Sequence, residues 1–171
     1  MNNTNLHNSL KYYAFFAMML AMSCKNNGQL TTEERKLVTD SVTRMATNIG
    51  NDVSAKGPAA WLDYFENDRS FFMASDGILV FRNYTVAKTY TRDTVAKNFK
   101  KINLDLANMT IDPLSIYYAS IGADFHEDIV MATGKGLSID GYVTATAHFD
   151  GNRWRLRNLN WAIKPPQQPA K

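Results

Sequence analysis

Leu37, Val38, Val42, Met45, Ala46 and Ile49 recur at the three- and four-residue spacing of one helical face. Just before them, Thr31-Thr32-Glu33-Glu34 has the form of a capping box, in which the Thr31 hydroxyl accepts from the backbone N–H of Glu34 and that carboxylate reaches back. Gly50-Asn51 is expected to end this helix. Gly57-Pro58 starts a second, shorter one, whose face carries Trp61, Tyr64, Phe65 and Asp68. The period then falls to two. Phe71 to Ala74 and Ile78 to Phe81 read as short strands joined by the turn Ser75-Asp76-Gly77. A third helix is expected from Thr91 or Arg92 to Leu104, with Val95, Phe99 and Ile102 inward. Leu114 to Ile121, Ile129 to Gly136, Tyr142 to Phe149 and Trp154 to Ile163 follow as strands, the last two joined by Asp150-Gly151-Asn152. Three helices followed by long antiparallel strands make an α+β pattern, with helices covering one face of a curved sheet.

The parity of the closing hairpin sets which residues face inward. Val143, Ala145, Ala147 and Phe149 alternate with Tyr142, Thr144, Thr146 and His148. A two-residue Asp-Gly turn would pair Ala147 with Trp154 and place Trp154, Leu156, Asn158 and Asn160 inside. Asn158 and Asn160 would then be the polar fixtures of an apolar pocket, and Leu159, Trp161 and Ile163 an outer apolar row suited to a homodimer interface.

The apolar run from Tyr12 to Ser23 is shorter than the roughly 20 residues of a membrane-spanning helix but suits the apolar region of a secretory signal. It ends at Cys24, the only cysteine of the chain, and Ala21-Met22-Ser23-Cys24 resembles a bacterial lipobox, in which the cysteine becomes the lipidated first residue. The alternative is an ordinary signal peptide with an incidental cysteine. The chain thus divides into a signal segment (1–23), a polar tether (24–30), one domain (31–164) and a Pro/Gln-rich tail (165–171). The expected location is the bacterial cell envelope, anchored to a membrane and facing the periplasm or the cell surface. Removing Lys11 with residues 1–23 leaves 18 basic against 16 acidic residues, a formal +2. That balance, with only Arg153, Arg155 and Arg157 clustered, argues against a nucleic-acid partner.

The segments AAWLDYFENDRSFFMASDG and ATAHFDGNRWRLRNLNWAI resemble the nuclear transport factor 2-like superfamily, and within it the SnoaL-like group, over roughly residues 32–164. The resemblance implies a cystatin-like, cone-shaped sheet whose mouth admits a small apolar ligand, and in many members a dimer through the outer sheet face. It also implies that relatives often carry proton-transferring side chains where this chain has Asn158 and Asn160. Asparagine is neither acid nor base near neutral pH. The ligand-pocket candidates are therefore Trp61, Tyr64, Phe65, Tyr118, Trp154, Leu156, Asn158 and Asn160.

Other groups have plainer readings. His126, within Asp124 to Asp128, is expected in a solvated loop between strands, and His148 at an exposed rim. Asp68 suits a helix cap and Asp76 a turn, while Tyr64, Tyr90 and Tyr118 suit core or rim positions. No spacing in the sequence suggests a metal, a phosphate loop or another cofactor. Two functions follow from different classes. One is a lipid-anchored domain binding a small apolar or amphipathic molecule, or a protein partner. The other is an isomerase, dehydratase or hydrolase acting on a small carbonyl compound. A titratable group inside the pocket separates them.

Overall fold

The computed structural model describes residues 29–165; the expected signal segment, Cys24 and the tail from residue 166 lie outside the described residues. Helix α1 (Thr32–Lys56) opens on the expected capping box, with Thr31 Oγ1 accepting from Glu34 N–H and Glu34 accepting from Thr31 N–H at 2.8 Å. The helix does not stop at Gly50. It runs another turn and a half to Gly57, whose φ of +84° suits only glycine at low cost. Gly50 instead lets α1 approach the sheet, since a Cβ there would lie 3.1 Å from the Leu104 carbonyl oxygen. A 3₁₀ helix (Pro58–Asp63) replaces the expected second α-helix.

Strands β1 (Phe72–Ser75) and β2 (Ile78–Phe81) form the expected hairpin. Helix α2 (Tyr84–Tyr90) continues through a π-helical turn (Thr91–Val95) into α3 (Ala96–Asn98). The third helix therefore lies earlier than expected and ends before Phe99, where β3 (Phe99–Pro113) begins. Ile102 and Leu104 point inward there while Lys101, Asn103 and Asp105 are exposed. That is a period of two, which the coincidental spacing of Val95, Phe99 and Ile102 had masked. Strand β4 (Tyr118–Met131) then passes through the expected loop at His126, and the segment expected as a strand from Ile129 to Gly136 holds a turn, with Gly134 at φ +85°. Strands β5 (Gly136–Phe149) and β6 (Trp154–Ile163) complete a six-stranded sheet in the order β2-β1-β6-β5-β4-β3. Only β1 and β6 pair in parallel, so the sheet is mixed where a purely antiparallel one was expected.

The inner faces of the sheet and the apolar side of α1 share one core, including Val42, Ile49, Phe71, Phe125 and Leu159. One irregularity decides the chemistry of that core. In β6, Trp154 lies opposite Phe149 and Leu156 opposite Ala147, so the turn is longer than the two-residue one expected and Ala147 does not pair with Trp154; the register then shifts between Leu156 and Asn158. Arg157 is the extra residue, and its guanidinium lies 3.1 Å from Glu66 Oε2. The bulge reverses the parity of the rest of the strand. Leu159 and Trp161 are consequently buried opposite Ala145 and Val143, while Asn158 and Asn160 pair with Thr146 and Thr144 on the outer face. The two asparagines are not pocket residues. The apolar row invoked for a homodimer lies on the inner face, and the outer face carries Tyr142, Thr144, Asn158 and Asn160 in its place.

Candidate functional site

The core is closed at one end and open at the other. Beneath α1, near Met45, Leu106, Ile121 and Leu156, only a void of about 30 Å³ remains. Beyond Trp61 and Trp161, which meet edge to face at 5.6 Å between centroids, the cone opens into a cavity of about 370 Å³. The tryptophan pair forms the floor of that cavity. Trp161 is held from behind by Phe125, stacked at 4.1 Å. Phe125 fits because it lies opposite Gly141, and its ring occupies the space that a Cβ at Gly141 would take.

Each wall comes from a different element. The 3₁₀ helix gives Pro58 and Trp61, the β1–β2 hairpin gives Met73, Val80 and Phe81, and the π turn gives Thr91 and Val95. Ile102, Ile129, Ile139 and Leu159 close the sheet side. A π turn widens a helix by one residue per turn and is common at functional sites; here it places Thr91 on the cavity wall, 5% exposed. The lining side chains with polar atoms beside Trp61 and Trp161 are Ser75, Tyr90, Thr91 and Glu127.

Glu127 is the one acid on that wall, and it is 8% exposed. It stands on β4 between Phe125 and Ile129, on the buried side of the strand. Among the described residues, no salt bridge or side-chain hydrogen bond reaches its carboxylate. Burial alone pushes its pKa up from 4.5 to about 7, because a carboxylate loses hydration there with nothing to replace it. The group is therefore poised to take or give a proton near neutral pH.

Only Trp61 and Phe65 of the sequence-derived candidates line this cavity. Leu156 lies in the packed end. Tyr64 turns away and donates to Asp52 Oδ2 at 2.7 Å; burial and that carboxylate push the phenol up to about 12. Trp154 lies against Phe149 near the β5–β6 turn. Tyr118 stacks on His148 at 4.6 Å, and His148 Nδ1 lies 2.8 Å from Glu66 Oε1, so that histidine shares the Glu66 carboxylate with Arg157 outside the cavity. His126 projects from the other side of β4, its Nδ1 2.9 Å from Asp140; that contact leads the effects that raise its pKa, with Asp128 adding to it. Glu127 was missed although its signal was present. Ile121, Ala123, Phe125, Glu127 and Ile129 form an unbroken inward alternation once the segment is read as a strand.

No family model and no curated protein matches the sequence. Solved structures match the fold. A protein from Novosphingobium aromaticivorans provisionally described as a scytalone dehydratase superposes with a TM-score of 0.69 at 12% identity, over 79% of this chain and 89% of that one. A nuclear transport factor 2-like superfamily protein from Salmonella enterica gives 0.63 at 14% identity, over 83% and 99%. A hexachlorocyclohexane dehydrochlorinase from Novosphingobium barchaimii gives 0.64 at 11% identity, over 79% and 92%. At these identities the likeness concerns architecture and leaves the chemistry of each pocket to its own residues. The chain has the nuclear transport factor 2-like fold, a cone with its mouth between the β1–β2 hairpin, the π turn and the β4–β5 hairpin.

Proposed function

We propose that the protein takes a small, largely apolar molecule into the cone and that Glu127 moves a proton on it, in an elimination or isomerisation that starts at an acidified C–H. The observation that carries this reading is the unpaired carboxyl of Glu127 on the wall of a cavity of about 370 Å³ whose other walls are almost wholly apolar. A base with a pKa near 7 is present in useful amounts in both protonation states at neutral pH. Ionised Glu127 would accept the proton, and the electron pair of the C–H bond would form or shift a double bond. Tyr90, Thr91 and Ser75 are the lining hydroxyls available to stabilise the negative charge that develops on a carbonyl oxygen or a leaving group. The fold neighbours named as a dehydratase and a dehydrochlorinase carry out reactions of the elimination class by name, which supports the reading by analogy of scaffold.

The test begins with mass spectrometry of small molecules that copurify with the native protein. The bound compound is then incubated with protein in deuterated water. Wild-type protein is expected to exchange or eliminate at one C–H of the ligand, and Glu127→Gln to bind it and do neither. Equal exchange by both proteins would remove Glu127 from the chemistry. Retained binding with no reaction in either would leave the cone as a carrier site, the reading in which Glu127 recognises a hydrogen-bond donor on the ligand. The cellular setting of this reading is a membrane surface, with the chain held through an acylated Cys24.

A further inference from the structure

The end of the sheet opposite the cavity carries an apolar patch that neither the core nor the site explains. Strands β3 and β4 are joined there by Leu114-Ser115-Ile116-Tyr117, in which Leu114, Ile116 and Tyr117 are 56%, 44% and 51% exposed. The loop is firmly built. Leu114 and Ser115 N–H both donate to the Tyr118 carbonyl, at 2.9 and 3.0 Å, and Ser115 Oγ accepts from the N–H of Tyr117 and Tyr118 at 3.1 Å each. Backbone polarity is thereby spent inside the turn, and three apolar side chains are presented outward on a fixed frame. The first turn of α1 adjoins the same tip, where Arg35 Nη1 lies 3.5 Å from both Asp112 Oδ1 and the Pro113 carbonyl. The β5–β6 turn is there too, because Phe149 N–H donates to the Tyr117 carbonyl at 2.8 Å, and it brings the exposed Arg153.

The described part of the chain begins at this end, with the first turn of α1. Six residues, Lys25 to Leu30, separate Cys24 from Thr31, so an anchor at Cys24 holds the start of α1, beside the tip, within at most about 25 Å of the lipid surface. Glu127, by contrast, is nine residues along β4 from Tyr118, roughly 30 Å at about 3.3 Å per residue. We propose that Leu114, Ile116 and Tyr117 sit in the headgroup region of the bilayer, so that the domain stands on its β3–β4 tip with the mouth of the cone turned away from the membrane. This inference rests on the reading of Cys24 as a lipid anchor. Leucine and isoleucine supply apolar area to the interface, tyrosine places a ring and hydroxyl at headgroup depth, and Arg35 and Arg153 lie beside lipid phosphates.

The experiment uses full-length protein processed in a bacterial host and reconstituted in vesicles of phosphatidylethanolamine and phosphatidylglycerol. When Cys24 is acylated, a thiol introduced as Ile116→Cys or Lys135→Cys is the only free one, and each chain takes up a single nitrobenzoxadiazole dye. Lys135 belongs to the β4–β5 turn at the cavity end. The dye at position 116 is expected to shift to the blue and to lose most of its emission to nitroxide-labelled lipid, and the dye at position 135 to do neither. A water-like, unquenched dye at position 116 on a chain that stays bound to the vesicle would overturn the tip contact and leave the anchor standing. Quenching at position 135 alone would overturn it in favour of the opposite orientation. Two dyes per chain, with loss from the vesicles, would overturn the anchor and the proposal together.

Discussion

Glu127 has no partner among the described residues, and that isolation has a thermodynamic consequence apart from any reaction. In the unfolded chain its carboxyl titrates near 4.5 and in the folded protein near 7, so the folded state holds the proton more tightly. The stability that the neutral acid supplies is fully present below pH 4.5 and is lost as the pH rises through 7. A difference of this size corresponds to about 3 kcal/mol. Glu127→Gln, which mimics the neutral acid, is therefore expected to match the wild type in stability at pH 4 and to exceed it at pH 8 by up to about 3 kcal/mol. Urea unfolding at the two pH values measures this. A variant less stable than wild type at both would mean that the carboxylate has a favourable partner in the folded protein. The gain would come with loss of the proposed chemistry, as expected where a site holds a destabilised group for use. Legibility at this scale was uneven. Trp61 and Phe65 could be placed from helical spacing, but Glu127 could not while its strand was read as a loop of acidic residues around His126.

At the scale of elements, the capping box, the β1–β2 hairpin and the β5–β6 hairpin follow from local chemistry, and sequence order alone finds them. What sequence order cannot find is set by contacts between distant segments. The bulge at Arg157 comes with a contact to Glu66, ninety-one residues away, and the parity beyond it is the one that buries Leu159 and Trp161 against the core. Gly50 reads as a helix end, yet it is a place where α1 meets β3. Gly141 works in the same way within the sheet. It leaves room for the Phe125 ring, which in turn supports Trp161 at the cavity floor. Gly141→Ala has no space without moving both Phe125 and the Ala162 carbonyl, and is expected to lose about 1–3 kcal/mol, the usual range for overpacking a core. Denaturant unfolding followed by tryptophan fluorescence would check this, with a red-shifted native spectrum showing that Trp161 has lost its support. An unchanged midpoint would show that the sheet relaxes there at little cost.

For the whole molecule, the cone is solid beneath α1 and hollow beneath α2 and the π turn, with the two tryptophans as the partition. The packed half provides the burial that a chain with a single cysteine must rely on, since it cannot form an internal disulfide. The hollow half forgoes part of that burial and adds a buried acid, a pattern that serves a site better than it serves stability. The account depends above all on the protonation of that acid. Infrared difference spectra of wild type minus Glu127→Gln, recorded across pH, isolate the carbonyl stretch of one protonated carboxyl. The band is predicted to persist through pH 6 and to vanish with a midpoint near 7. A midpoint near 4.5, the ordinary value for a hydrated glutamate, would contradict the account.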